Sequence, residues 1–369
     1  MSKFLSDRHN SLNAYVPGEQ PLDMQFIKLN TNESPYPPPP GVISAVSEDE
    51  INKLRLYPNP DGTRLIKKLA EFYGVQPENV IIGNGSDELL AFAFLAFCDS
   101  GRGAAFPDVT YGFYPVYAEL FGVPFDQIPL KGDFSVDVSD YTGVGKNVIL
   151  ANPNALTGIA LPPGDIEKIA QSNPEHVVLI DEAYVDFGAE STIPLIQKYN
   201  NLLVIHTYSK SRSMAGARMA FAIGPAPVIA DLNKMKYSFN SYNVNRLTQI
   251  MAEAALDEDA YYRERRLEII ETRGYTEARL RALGFSMTDS KANFVFATHP
   301  NIGGYELYTA LKNKGILVRQ WNKPRIANYL RITIGTKEQM DALISAIEAI
   351  LSNPYERASF ARSVYDHLL

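Results

Sequence analysis

Cysteine, tryptophan, long apolar runs and surplus positive charge are all scarce in this 369-residue sequence. The one cysteine, Cys98, excludes an intrachain disulfide and a cysteine-rich metal site, which suits a reducing compartment. Lys and Arg number 35 against 42 Asp and Glu, so the net charge is −7, the wrong sign for a general nucleic-acid binder. The longest apolar run, Leu89 to Cys98, lies between Glu88 and Asp99 and suits a buried core helix rather than a membrane span. Residues 1–10 have no apolar core of the kind a signal peptide needs. The five histidines show no metal-like spacing, and no metal is expected. These scarcities lead to the expectation of a cytoplasmic protein with no membrane or nucleic-acid partner.

What is present is the composition of a globular protein, 46% hydrophobic and 21% charged. At this length one hydrophobic core stops growing, so two unequal domains are expected. The division we read is an N-terminal arm over 1–40, a large domain over 41–243 and a small domain over 244–369. The arm ends in Pro37–Pro40, a stiff connector.

From Val80 to Gly224 short apolar or β-branched runs alternate with helical patterns. That alternation predicts a largely parallel sheet with helices on both faces. The strands fall at 80–82, 103–106, 147–151, 177–181, 202–206 and 219–223, and the helices at 86–97, 111–121, 165–171 and 193–199. Residues 244–283 read as two long helices. Strands at 293–297, 316–319 and 329–334 follow, with helices at 305–313 and 337–351, as in a smaller α+β domain.

In open α/β sheets ligands sit at the carboxyl ends of the strands, so the residues just beyond each strand form a set. After the first strand come Gly85, Ser86, Asp87 and Glu88, small residues running into a helix start, where free N–H groups and the dipole suit a phosphate. A capped tight turn would read the same way. Neither a P-loop nor a dinucleotide fingerprint is present, because Glu88 stands where the third glycine belongs. The fourth strand ends at Asp181, with Tyr184 just beyond it. A carboxylate closing an apolar strand is costly without a cationic partner, and a protonated pyridine nitrogen would be one. The fifth strand leads to Ser209 and Lys210, then Arg218. A lysine in such a place forms a Schiff base if its surroundings lower its pKa, while Ser209 and Arg218 supply donors to an anion.

Taken in order, Tyr57-Pro58, Gly85-Ser86-Asp87-Glu88, Asp181-Glu182-Ala183-Tyr184, Ser209-Lys210 and Ala215-Gly216-Ala217-Arg218 resemble the fold-type I aminotransferases that use pyridoxal 5'-phosphate. Within that family the chain looks most like the histidinol-phosphate aminotransferases, from Leu12 through Gly335. The resemblance implies a mostly parallel seven-stranded sheet flanked by helices, plus the smaller α+β domain. It also implies roles for individual residues. Lys210 would hold the cofactor and then shuttle protons, Asp181 would face the ring nitrogen, Tyr184 would bond the phenolic oxygen, and Tyr111 would stack on the ring. Gly85, Ser86, Asp87, Ser209 and Arg218 would surround the phosphate. Arg331, assisted by Arg319 and Tyr15, would take the substrate's anionic group, with Asn32 also at the substrate. Tyr57 would reach into the partner's site, which requires a homodimer.

The sequence departs from the family at Ala155, in Asn152-Pro153-Asn154-Ala155-Leu156-Thr157-Gly158, where an asparagine commonly touches the phenolic oxygen. Either Asn154 or Asn152 substitutes, or Tyr184 carries the contact alone. Two arginines favour histidinol phosphate as amino donor and 2-oxoglutarate as acceptor. An aromatic aminotransferase or a threonine-phosphate decarboxylase shares these motifs. A rival of another class is a non-catalytic regulator that binds the same cofactor.

Overall fold

The computed structural model describes residues 3–21 and 25–352. The end of the expected small domain, 353–369, lies outside the described residues. Among the described residues there are thirteen strands. In chain order they are β1 (Ile27–Lys28), β2 (Val80–Asn84), β3 (Ala104–Pro107), β4 (Phe125–Ile128), β5 (Asn147–Ala151), β6 (Val178–Asp181), β7 (Leu202–Thr207), β8 (Met219–Ile223), β9 (Ser286–Met287), β10 (Phe294–Thr298), β11 (Ile316–Leu317), β12 (Arg319–Gln320) and β13 (Tyr329–Thr333).

The large sheet has seven strands in the order β2-β8-β7-β6-β5-β3-β4. All neighbours are parallel except β8, which runs against both β2 and β7. β5, β6 and β7 are buried along their whole length, which is why they read as unbroken apolar runs rather than alternating ones. Alternate side chains leave by opposite faces. Leu179, Leu203 and Ile205 join the core beneath the helix Ser86–Phe97, while Val178, Ile180, Leu202 and Val204 join the core beneath Thr63–Tyr73 and Pro163–Ser172. The register aligns Ala151 with Asp181 and Asp181 with Ile205, so the strand ends that carry the candidate site stand side by side.

β4 has no counterpart among the strands expected from sequence. It is an edge strand with a half-exposed Phe-Asp-Gln-Ile pattern, and two polar residues in four hide its strand character. The helix expected at 193–199 is a short 3₁₀ turn, Ile193–Gln197, with proline near its start.

The helix Arg246–Asp257 buries Ala252, Ala255 and Leu256 against the large sheet's second core. The boundary expected at 243 falls before this helix, although its packing is with the large sheet. Beyond it, Asp259–Ala282, Gly304–Asn313 and Lys337–Ser352 accompany the antiparallel sheet β12-β13-β10-β9. The arm joins this part of the molecule, because β1 pairs in parallel with β11. Thr333 N–H also donates to Leu29 O at 3.0 Å, so the arm runs beside the end of β13.

Candidate active site

A cavity of about 380 Å³ opens at the carboxyl ends of β2, β6 and β7. Ser86, Asp87, Tyr111, Asp181, Tyr184, Ser209, Lys210 and Arg218 line it, so eight of the residues singled out from sequence meet there. A second cavity of about 240 Å³ adjoins it, sharing Tyr111, Tyr184 and Lys210 and adding Tyr15, Arg319, Trp321 and Arg331.

At one end of the first cavity, Gly85 precedes the helix Ser86–Phe97 with φ of 81°, in the region that favours glycine. A Cβ there would stand 2.5 Å from an Arg218 nitrogen, so glycine is what lets that guanidinium lie across the helix start. The helix N-terminus, Ser86, Ser209 and Arg218 form a cradle with the chemistry of a phosphate site. The Asp87 side chain is engaged within the protein. Its carboxylate accepts from Tyr111 Oη at 2.7 Å and from Arg218 at 3.0 Å. A carboxylate facing a phosphate would repel it, so this side chain orients the ring and the guanidinium instead.

At the other end Asp181 closes β6, 5% exposed. It accepts from Ala183 N–H and from Tyr114 Oη, each at 3.2 Å. Burial pushes its carboxyl up to about 6, against an ordinary 3.8. A buried acid held by two neutral donors is what a cationic ring nitrogen would stabilise. Below it lies a second buried acid, Glu182. It pairs with His206 at 2.8 Å and accepts from Thr192 N–H at 2.6 Å and Ser191 Oγ at 2.5 Å. Tyr114 and His206 carry no separate signal in the sequence, although Tyr114 follows Tyr111 by three positions, in the first turn of the helix Phe113–Phe121.

Lys210 Nζ lies between these ends and donates to Thr31 O at 3.0 Å. Burial, reinforced by Arg331, lowers its amine to about 8. Tyr184 is also buried, its ring edge-on to Phe294. The arm makes the remaining contacts. Asn30 O accepts from Arg331, Thr31 O from Lys210, and Tyr184 Oη from Asn32 Nδ2, so three consecutive residues touch three of the candidate groups. Gln20, Thr31 and Glu33 also line the first cavity, and the sequence reading missed them because the arm lacks any periodic pattern.

Arg319 and Arg331 are directly opposite each other on β12 and β13. Both guanidinium groups lie over Trp321, at 5.4 and 5.1 Å from the ring centre, and neither has a carboxylate partner among the described residues. They donate to backbone oxygens, Arg319 to Val16 and Pro17, Arg331 to Ala155 and Asn30. The Arg331 Nε is buried with no acceptor among the described residues. Like charges face to face across a ladder repel. The pair therefore costs stability unless an anion lies between or beside the two groups. Tyr15 completes this wall, stacked on Phe113 with centroids 4.2 Å apart.

Four expected residues do not line either cavity. Asn154 donates to Val109 O and accepts from Leu156 N–H, and Asn152 is bonded to Leu161 through both ends of its amide. Neither side chain lines the cavity, whereas Ala155 stands in its wall. Asn32 is 1% exposed, with its side chain turned to Tyr184 and Thr333 rather than to a substrate. Tyr57 is 77% exposed and stacks on Tyr242, outside this chain's own cavities. Among the described residues no group of three or more His, Cys, Asp or Glu is placed to hold a metal, and no helix is long and apolar enough to cross a membrane.

The fold and this arrangement of groups define a member of an established enzyme class. The profile of the family "aminotransferase class I and II" matches residues 24–347, and the chain belongs to that family. Among its relatives, the histidinol-phosphate aminotransferase of Brachyspira hyodysenteriae is 48% identical over 354 residues, covering 96% of this chain and 100% of that one. The histidinol-phosphate aminotransferase of Marinomonas sp. is 50% identical over 353 residues, covering 95% and 100%. The crystal structure of histidinol-phosphate aminotransferase from Sinorhizobium meliloti, in complex with pyridoxal-5'-phosphate, superposes with a TM-score of 0.81 at 23% identity, covering 90% of this chain and 91% of that one. That likeness establishes the fold.

Proposed function

We propose that the chain is a pyridoxal-phosphate-dependent transaminase that converts histidinol phosphate and 2-oxoglutarate to imidazole acetol phosphate and glutamate, a step of histidine biosynthesis. The observation that carries the reading is the facing pair Arg319 and Arg331, two cations without a carboxylate partner among the described residues, in a cavity that Lys210 also lines. A phosphate monoester supplies more charge and more acceptor oxygens than a carboxylate, and suits two guanidinium groups and the Tyr15 hydroxyl together.

Bound pyridoxal phosphate supplies an aldehyde for amine exchange and an electron-poor ring that accepts the electron pair left when a Cα proton departs. Ser86, Ser209, Arg218 and the helix N-terminus would hold its phosphate, Asp181 its ring nitrogen, Tyr184 its phenolic oxygen, and Tyr111 one face of its ring. Lys210 Nζ takes the proton from the substrate's Cα. An amine lowered to about 8 is a competent base near neutral pH, whereas an ordinary lysine is almost fully protonated there. Arg319, Arg331 and Tyr15 fix the far end of the substrate, so that the Cα–H bond meets Lys210 in one orientation.

The working unit we propose is a homodimer in the cytoplasm. Three side-chain anchors support the loop that presents Tyr57. Arg246 donates to Tyr57 O, Gln249 to Asn59 O and Lys236 to Pro60 O. A loop held so firmly, showing a stacked Tyr57–Tyr242 pair with Leu54 and Leu56 exposed beside it, suits a surface that a second copy covers.

A substrate panel tests the reading. Glutamate formation from 2-oxoglutarate is measured with histidinol phosphate, phenylalanine, tyrosine and threonine phosphate as donors. The proposal requires the highest kcat/KM with histidinol phosphate, and a higher value with an aromatic amino acid would reject it.

A further inference from the structure

We infer that Asn32 is a positioning residue that fixes the direction of the Tyr184 hydroxyl, so that Tyr184 donates its proton into the cavity instead of to the protein. The inference rests on the proposed role of Tyr184 at the cofactor's phenolic oxygen.

Asn32 is held from several sides. Its backbone has φ of 55°, a left-handed conformation that asparagine adopts more readily than most residues. Its N–H donates to Thr333 Oγ1 at 3.0 Å, and its carbonyl accepts from Asn293 Nδ2 at 3.0 Å. The two ends of an amide side chain are alike in shape, so the neighbours decide which end points where. Here Thr333 decides. Its hydroxyl already accepts the Asn32 N–H, and its one proton goes to Asn32 Oδ1 at 3.0 Å. Reversing the amide would leave that proton without an acceptor in a buried site. Asn32 Nδ2 therefore faces Tyr184 and donates to its Oη at 3.0 Å.

The consequence is directional. A phenol that accepts from Asn32 keeps its own proton free, and no group among the described residues takes it. Tyr184 lines both cavities, so the proton points to where an anionic ligand oxygen would lie. Ala155, in the same wall, has no polar side chain to offer that oxygen. The Thr333–Asn32–Tyr184 chain thus ties a hydroxyl on β13 to the cavity through a single proton order.

The test is the pH midpoint of the bound cofactor's absorbance change in reconstituted protein, with cofactor affinity and melting temperature as companions. Removing a donor from an anionic oxygen strengthens that oxygen's hold on a neighbouring proton, so Tyr184→Phe should raise the midpoint by about one pH unit. Asn32→Asp keeps the shape but presents an acceptor that captures the phenol proton. It should raise the midpoint similarly and add little to Tyr184→Phe in the double variant. Thr333→Val, which unlocks the amide while keeping Asn32, should give a smaller rise, and Thr333→Ser should match the wild type. If Asn32→Asp does not fold, Thr333→Val carries the test. An unmoved midpoint in the Asn32 and Thr333→Val proteins, with Tyr184→Phe shifted, overturns the inference alone. An unmoved midpoint in Tyr184→Phe overturns the assignment of Tyr184 and the inference with it.

Discussion

The backbone oxygen of Thr31 accepts a hydrogen bond from Lys210 Nζ at 3.0 Å. The arm thereby holds the reactive amine in the cavity by a group that cannot neutralise it, and the amine stays lowered to about 8 by burial and by Arg331. Lysine-to-aldehyde exchange needs the neutral amine. The rate at which apoprotein takes up pyridoxal phosphate should therefore rise with pH through a midpoint near 8. In Arg331→Leu the midpoint should move upward, because a nearby positive charge has gone. Stopped-flow absorbance measures both, and an unchanged midpoint in the variant would count against this electrostatic account.

Lys210→Ala should still bind pyridoxal phosphate through the phosphate cradle and Asp181, but turn over about 10²–10⁴-fold more slowly or worse, the range lost with a general base. Equilibrium dialysis and steady-state assays separate the two effects.

Asp181 links the site to stability. Its folded value of about 6 lies above its ordinary 3.8, so the contribution of Asp181 to the stability of the ligand-free protein is fully present below about 4 and is lost as pH rises through 6. Asp181→Asn removes the charge at nearly constant shape. Apo Asp181→Asn should be more stable than apo wild type at pH 7–8, by roughly 2–3 kcal/mol, while catalysing at least about 10²-fold more slowly. Urea denaturation at pH 4 and pH 8 reads the first effect, and the difference should shrink at pH 4.

The two arginines should separate by substrate. Arg319→Leu removes a charge-assisted contact worth about 1.5–3 kcal/mol, so histidinol-phosphate kcat/KM should fall about 10–100-fold. Turnover of phenylalanine, which has no phosphate, should fall much less. Equal losses for both would show that Arg319 does not meet the phosphate.

Tyr57 is tested by complementation. Tyr57→Ala should lower activity, and hybrids of Tyr57→Ala with Lys210→Ala should regain it, because each hybrid dimer would hold one site with both residues intact. Hybrids no more active than their parents would place Tyr57 outside the partner's site.

Much of this was legible in the sequence because strands buried on both faces advertise themselves. Val178–Asp181 is an apolar run closed by an acid, and Leu202–Thr207 leads directly to Ser209 and Lys210. The edge strand Phe125–Ile128 escaped because it is half exposed and polar. The resemblance located Asp87 and Asn154 near the site, but not what their side chains touch. Those contacts depend on Tyr111, Arg218 and the backbone at Val109, which only folding brings together. The arm was the least legible part, since Asn30, Thr31 and Asn32 act through β13 and Lys210, about 180 to 300 residues away.

The central claim is that a phosphorylated amine enters the cavity walled by Arg319 and Arg331 and gives up its amino group beside Lys210. A single half-reaction tests it most directly. Stoichiometric histidinol phosphate is mixed with pyridoxal-phosphate-loaded protein without any keto acid, and the absorbance is followed. The cofactor should convert to its amine form, and adding 2-oxoglutarate should reverse the change. A cofactor spectrum unchanged by histidinol phosphate, but converted by an unphosphorylated aromatic amino acid at the same concentration, would contradict it.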